Sequence, residues 1–226
     1  MTSFEILKKL KNLHLLNQKP SWWWPNAGHF EVVVSAILTQ NTRWQNVELA
    51  LKNLQNAQIL STNSDAALLK LARQKSIEVE IQPSGFFRQK SKRLILLAQN
   101  IVRDFGTFEN FQNNVSRQWL LNQQGIGFET ADAILNFACL KAVFVSDSYT
   151  LKFLKRLQIP VQNYADCVAF LSDLNDSDLK KIYPPNYSKA QILARYHGKI
   201  VEFSKLKLAN DEFLKIFARW PWIFLK

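Results

Sequence analysis

Apolar residues recur at intervals of three and four along most of this 226-residue chain. Such spacing places them on one face of an α-helix. It predicts helices over 30–40, 43–54, 64–73, 89–104, 116–122, 128–140, 147–157, 163–174 and 186–208. Strictly alternating runs are almost absent, and six glycines are too few for a turn-rich β protein. We therefore expect an all-α fold, with 143–146 as a linker.

The N-terminal segment is predicted to form an amphipathic helix. Its inward-facing residues would be Phe4, Leu7, Leu10, Leu13 and Leu16. Charges are spread through it and no small-residue cleavage site follows, so it does not resemble a secretory signal. No apolar run reaches the roughly 18 residues of a membrane helix. We expect a cytoplasmic protein without a membrane partner.

Breaker residues mark the joints between the predicted helices. Pro25-Asn26 is expected to begin a helix, Pro83-Ser84-Gly85 separates the middle helices, and Pro184-Pro185 precedes the long C-terminal helix. The aromatic tail 219–224 is expected to fold back on the body of the protein, with an exposed docking peptide as the alternative.

The composition limits the possible partners and cofactors. The formal net charge is +11, which suits a polyanion, although charge alone is equally compatible with a solvated basic surface. Two cysteines, Cys139 and Cys167, cannot supply the four thiolates that an iron–sulfur cluster or a Cys₄ zinc site usually needs. We expect no metal and no cofactor.

A Gly125-Ile126-Gly127 turn lies between two predicted helices. Glycine allows backbone N–H groups to approach a phosphate closely, and Ala131 and Ala133 allow the two helices to pack closely. An ordinary turn between helices is the alternative. The motif alone therefore indicates an anion site only weakly.

Asp147 follows Gly127 by twenty residues and opens the next predicted helix. Bound nucleic acid would repel a nearby carboxylate, so its presence there favours a chemical role. The alternative is an N-cap, because aspartate is a preferred residue at helix starts. Both roles can coexist.

Four motifs in order resemble the helix-hairpin-helix DNA glycosylases of the endonuclease III superfamily. They are the segment 121–131 followed by Asp147, and the segments 36–42, 85–91 and 197–199. The resemblance implies a bilobal fold with DNA between the lobes. One lobe would be a helical barrel, residues 25–141, with the hairpin at 116–140. The other would combine 1–24 with 142–226 and carry the catalytic aspartate.

The resemblance also implies how DNA is bound. Gly125, Ile126, Gly127 and Thr130 would contact its backbone. Gln40, with Asn41 beside it, would wedge into the base stack and fill the gap left by a flipped nucleotide. An exposed polar helix end is the alternative interpretation of this pair.

Within the superfamily, the chain resembles the 3-methyladenine DNA glycosylases that lack the iron–sulfur cluster. The features shared with this branch are Trp22-Trp23-Trp24-Pro25-Asn26 and the absence of cysteine from Ile200–Ser204. The lyase lysine of bifunctional members falls at Glu129, and a carboxylate cannot form a Schiff base with a sugar. The chain is therefore expected to remove bases without cutting the strand.

The branch comparison places Trp23, Trp24, Pro25 and Trp44 in a base pocket, with Lys205 at its edge. An indole face attracts a cation by about 0.5–2 kcal/mol, which suits a positively charged alkylated purine. Because that charge also makes the base a good leaving group, the single carboxylate of Asp147 would suffice. Packing between helices is the alternative for any one of these rings.

The same comparison implies that Lys199 can be carbamylated; an ordinary surface or ion-paired lysine is the alternative.

Together these features predict a monomeric glycosylase acting on alkylated purines in double-stranded DNA. Two further hypotheses are a glycosylase for another damaged or mismatched base and a non-catalytic DNA-binding module.

Overall fold

The computed structural model describes residues 1–217, which contain helices and no strand. In chain order the α-helices are α1 (Ser3–Asn12), α2 (Phe30–Leu38), α3 (Trp44–Asn56), α4 (Ser64–Ala72), α5 (Glu78–Ile81), α6 (Phe87–Phe105), α7 (Phe108–Asn114), α8 (Arg117–Leu121), α9 (Phe128–Ala133), α10 (Ser148–Arg156), α11 (Tyr164–Ser172), α12 (Asp176–Ile182), α13 (Lys189–Lys205) and α14 (Asn210–Phe217). The expectation of an all-α fold is confirmed. The predicted fold-back of the tail 219–224 lies outside the described residues.

The chain forms two compact units. One is Pro25–Lys141; the other combines Met1–Trp24 with the chain from Ala142 onward. No helix among residues 1–217 has both the length and the apolar character needed to cross a bilayer.

Helix α2 is the centre of the unit Pro25–Lys141. Every residue of this helix except Glu31 is buried, and α3, α4, α6 and α9 all pack against it. A short 3₁₀ turn, Gln82–Ser84, precedes α6, and a π-helical segment, Ile134–Ala138, continues α9. The apolar run in 30–38 thus forms a helix surrounded by others, as expected for a segment without a polar face.

Helix α13 has the same position in the other unit. Most of its length is buried, and α1 and α10 pack against it. Tyr196, at its middle, is fully buried and donates a hydrogen bond to the backbone oxygen of Ser3 at 2.9 Å. This bond ties the N-terminal helix to the later part of the chain.

The structure differs from the predicted helices at several places. Helices α5, α7, α12 and α14 were not predicted; they have four to eight residues, and such short segments show little periodicity. Helix α2 begins at Phe30 and not at Pro25-Asn26. Asn26 and Gly28 have φ values of +55° and +86°, so the intervening residues form turns.

The N-terminal helix is present but shorter than its predicted apolar face. It ends at Asn12, so Leu13 and Leu16 follow it, although Leu16 is still buried. Ile6, which was not predicted to face inward, is fully buried.

Candidate functional site

The two helices of the hairpin are joined by a bidentate ion pair. Arg117 Nε and Nη2 lie 2.6 and 2.9 Å from the two carboxylate oxygens of Asp132, which is 1% exposed. Bidentate pairs of this kind are geometrically specific. The pair therefore fixes α9 against α8 and sets the geometry of the turn between them.

The turn itself presents two exposed backbone donors. The N–H groups of Gly125 and Gly127 have no acceptor within residues 1–217. Ile126 differs: its N–H donates to the Gln123 oxygen at 3.2 Å, and its side chain is buried. Ile126 thus holds the turn in place, while the flanking glycines leave their amides available to an anion.

The fold requires glycine at only one of these two positions. Gly125 has φ +78°, and a Cβ added there would lie 2.6 Å from Cδ of Arg93. Gly127 has extended backbone at φ −94°, and a Cβ there would meet nothing within 4 Å. The fold therefore needs glycine at 125. At 127 a side chain would have room, because nothing in residues 1–217 beyond the adjoining residues lies within 4 Å of an added Cβ.

Gln40 is hydrogen-bonded directly to the hairpin. Its Nε2 donates to the Gly125 oxygen and to Thr130 Oγ1, both at 3.0 Å. The neighbouring Asn41 is exposed and has φ +52°. The structure thus brings together Gln40, Gly125 and Thr130, three of the residues that the sequence analysis assigned to DNA binding.

Lys90 contacts both ends of the Gln40 loop, the segment that joins α2 to α3. The sequence analysis included this lysine only within the 85–91 motif. Its buried ammonium donates to the Leu38 oxygen at 2.7 Å and to Thr42 Oγ1 and the Ser84 oxygen at 2.8 Å. Burial, and secondly the charge of Arg93, lower the pKa of Lys90 to about 8. A cation here satisfies carbonyls at the C-terminal end of α2 and holds the Gln40 loop in position.

Asp147 caps α10 in the second unit. Its Oδ1 accepts hydrogen bonds from the Thr150 N–H at 2.8 Å and from the Thr150 hydroxyl at 2.9 Å. Its Oδ2 accepts none from residues 1–217, and the residue is half-buried. The carboxylate is thus held by one oxygen and keeps the other free, so the capping role leaves a chemical role open.

His197 lies close enough to Asp147 for their charges to interact. Burial lowers the pKa of His197, and this effect outweighs the opposing influences of Asp147 and of a hydrogen bond to the Val145 backbone. The imidazole is therefore neutral at physiological pH and leaves the negative charge of Asp147 uncompensated.

Trp23 has a strained backbone and a tightly fixed ring. Its φ is +68°, its ring centroid lies 5.0 Å from that of His197, and a Cβ at Gly198 would lie 2.7 Å from Trp23 Cδ1. Only glycine at 198 leaves room for the indole. Trp24 is buried and meets Trp23 edge to face at 6.1 Å.

Glu202, which sequence reasoning missed, holds both Trp23 and Lys205. Its Oε1 accepts from Trp23 Nε1 at 3.1 Å and from Lys205 Nζ at 2.9 Å, and Oε2 lies 3.6 Å from Lys19 Nζ. Burial opposes its ionisation, but the hydrogen bonds from Lys205 and Trp23 prevail and lower the pKa of Glu202. The sequence does carry one signal for this contact: Glu202 lies three residues before Lys205 on a predicted helix, a spacing that brings the two side chains together.

The remaining two pocket candidates belong to the other unit. Pro25 is its first residue, and Trp44 is the first residue of α3; both are half-buried. Trp23, Trp24 and Lys205 are therefore brought together within one unit, whereas Pro25 and Trp44 are contributed by the other.

Lys199 is buried with only 4% exposure. Its Nζ donates to Tyr183 Oη at 3.1 Å, and the Nζ atoms of Lys199 and Lys11 each lie 5.6 Å from the centroid of the Tyr183 ring. Burial, then the charges of Arg195 and Lys11, lower the pKa of Lys199 to about 7. Much of this amine is therefore neutral and nucleophilic near neutral pH.

Comparison with known proteins identifies relatives of this chain. Residues 34–190 match the HhH-GPD superfamily of base excision DNA repair proteins. A candidate DNA repair glycosylase of Methanocaldococcus jannaschii is 34% identical over 208 residues, which cover 89% of this chain and 88% of that relative.

Two solved structures are also similar. The crystal structure of the Helicobacter pylori 3-methyladenine DNA glycosylase MagIII bound to 1,N6-ethenoadenine is 48% identical with a TM-score of 0.89, covering 92% of this chain and all of that one. A non-covalent endonuclease III–DNA complex, 15% identical with a TM-score of 0.61, shares the fold over 90% of this chain and 86% of that one.

Replacing Gly125 by alanine is expected to lower the free energy of unfolding by about 1–3 kcal/mol, because the new Cβ strains a positive φ and displaces Arg93. Replacing Gly127 by alanine should be neutral or stabilising by up to about 1 kcal/mol, since the site is open and its φ suits alanine. Urea denaturation of the two variants makes the comparison. Equal losses would contradict the distinction.

Proposed function

Because the chain belongs to the HhH-GPD superfamily of base excision DNA repair proteins, we propose that it is a monofunctional glycosylase that excises alkylated purines of the 3-methyladenine type from double-stranded DNA. The observation that carries this proposal is the half-buried Asp147 carboxylate with one free oxygen. The 48% identity to a 3-methyladenine DNA glycosylase supports the choice of substrate.

Asp147 supplies the chemistry in this proposal. The bond between C1′ and the base nitrogen breaks, and its electron pair goes to the base, which neutralises the positive charge of the alkylated ring. The sugar then carries the positive charge, as in other glycoside hydrolysis. The free Oδ2 stabilises that charge and receives a proton from the water whose oxygen bonds to C1′.

The indoles of Trp23 and Trp24 provide the face for a cationic base. Stacking and cation–π attraction offset part of the cost of extruding the nucleotide from the duplex. Glu202 fixes the Trp23 ring through its Nε1 and restrains Lys205. A pocket of fixed rings favours a flat, positively charged purine because no rearrangement is required on binding.

The hairpin binds the DNA backbone in this proposal. The free amides of Gly125 and Gly127 bind a phosphate, and Gln40, oriented by Gly125 and Thr130, enters the base stack. One chain contributes every residue named, so we propose that it acts as a monomer. Both cysteines are free and buried, which suits action in the reducing cytoplasm.

Asp147→Asn is expected to lower the single-turnover rate of base release at least 10³-fold, while duplex binding and stability stay near wild type. Asparagine retains the capping oxygen but loses the charge that stabilises the sugar cation. The assay uses duplex DNA treated with a methylating agent and identifies each released base by chromatography. Retained turnover would refute the role of Asp147, and release of only other bases would refute the proposed substrate.

The wild-type protein is expected to release bases without cutting the strand. Glu129 occupies the position at which bifunctional members carry their lyase lysine, and it cannot form a Schiff base. Incubation with an abasic duplex should yield no cleavage before alkali treatment and no complex trapped by borohydride. A borohydride-stable complex would contradict the monofunctional assignment.

We also propose that Lys199 carries a carbamate when carbon dioxide is available. The neutral amine attacks the carbon of carbon dioxide and loses a proton, which converts a basic group into an anion. Lys11 and Arg195, which oppose a positive charge on Lys199, would favour the carbamate. The modification thus turns two unfavourable interactions into favourable ones.

The lowered pKa of Lys199 predicts the direction in which stability changes with pH. Folding lowers it from about 10.5 to about 7, so between these values the unfolded chain binds more protons and the group adds stability as pH rises. At pH 8, bicarbonate is expected to raise the Tm further, by about 2–4 °C for each 1 kcal/mol gained. Lys199→Met should abolish the bicarbonate effect, and the exposed Lys205→Met should keep it. A wild-type Tm indifferent to bicarbonate would refute carbamylation.

A further inference from the structure

Arg93 lies on α6 with its side chain packed directly against the hairpin turn. A Cβ at Gly125 would lie 2.6 Å from Cδ and 2.7 Å from Cζ of Arg93, so glycine is what admits the arginine to this position. On its other side, the oxygen of Gly125 accepts the hydrogen bond from Gln40. Arg93 therefore touches the same residue that the proposed wedge uses.

The guanidinium of Arg93 has no partner of its own. It donates no hydrogen bond and forms no ion pair within residues 1–217. Two other arginines near the hairpin helices differ, because Arg117 is paired with Asp132 and Arg103 with Asp104. The residue is partly exposed, so its five N–H donors are open to an anionic ligand.

A second positive charge lies close to Arg93. Lys90 lies three residues earlier on the same helix, and the two cations repel each other enough to contribute to the lowered pKa of Lys90. The hydrogen-bond partners of Lys90 are all neutral oxygens. The region therefore holds two adjacent positive charges, and an anion would relieve their repulsion.

We propose that Arg93 binds a DNA phosphate at the hairpin turn, alongside the free amides of Gly125 and Gly127. This inference rests on the proposed DNA glycosylase function and adds a charged residue to a contact otherwise made by backbone groups. A guanidinium can bind a phosphate through two parallel hydrogen bonds, which fixes the register of the strand as well as adding affinity.

The test is the salt dependence of duplex binding by Arg93→Gln, measured by fluorescence anisotropy between 50 and 200 mM salt. Loss of one phosphate contact should reduce the slope of log K against log salt by about 0.9. Affinity at low salt should fall several-fold. Arg103→Gln is the matched control: it removes the same charge from the same helix, but from a group already paired with Asp104.

Arg93→Lys separates charge from packing, since lysine keeps the charge but not the planar fork. It should keep the wild-type salt slope with a smaller loss of affinity. The proposal is overturned if Arg93→Gln has the slope of Arg103→Gln, or if the Gln and Lys variants lose affinity equally with an unchanged slope. With either of these results, base release by the wild-type protein would leave the proposed glycosylase function intact. A wild-type protein that releases no base would overturn both the glycosylase function and the role of Arg93.

Discussion

The buried ammonium of Lys90 is the interaction on which the unit Pro25–Lys141 depends. Helix α2 ends at Leu38, which is fully buried, so the carbonyl of this residue needs a partner within the protein. Lys90 satisfies the Leu38 oxygen and, with the same ammonium, holds Thr42 and Ser84. Gln40 and Asn41 lie within the segment that these bonds fix, so their positions follow from the need to close a buried helix.

In the proposed function, the single side chain of Asp147 has both a structural and a chemical role. A carboxylate has two oxygens, and the cap uses only Oδ1. Capping fixes the torsion angles of the side chain, so the free Oδ2 is preorganised. In the proposed function, the neutral imidazole of His197 does not compete with the sugar cation for this carboxylate.

Close packing of a large side chain against glycine occurs in each of the two units. Gly198 admits the indole of Trp23, and Gly125 admits the side chain of Arg93. In each case the glycine allows a large side chain to reach a position that a Cβ would block. Both large side chains are candidates for binding the substrate, one for the base and one for the phosphate.

The sequence predicted the all-α fold because periodicity of 3.6 extends over long segments, and it missed the helices α5, α7, α12 and α14 because they are short. The family resemblance is confirmed by the match over 34–190. It rested on local motifs, in which residue type and spacing carry the information.

What the sequence by itself determined is the helical architecture, the family and the identity of the candidate hairpin, aspartate and tryptophans, because each of these depends on residues close together in the chain. Only the tertiary structure decided that Glu202 holds Trp23, that Lys90 supports the Gln40 loop and that Arg93 packs on Gly125. The partners in these contacts are separated by 32 to 179 residues, a distance over which a single sequence shows no pattern. The proposals for Lys199 and Arg93 likewise depend on burial and on the lack of a counter-charge within residues 1–217, which exist only once the helices pack.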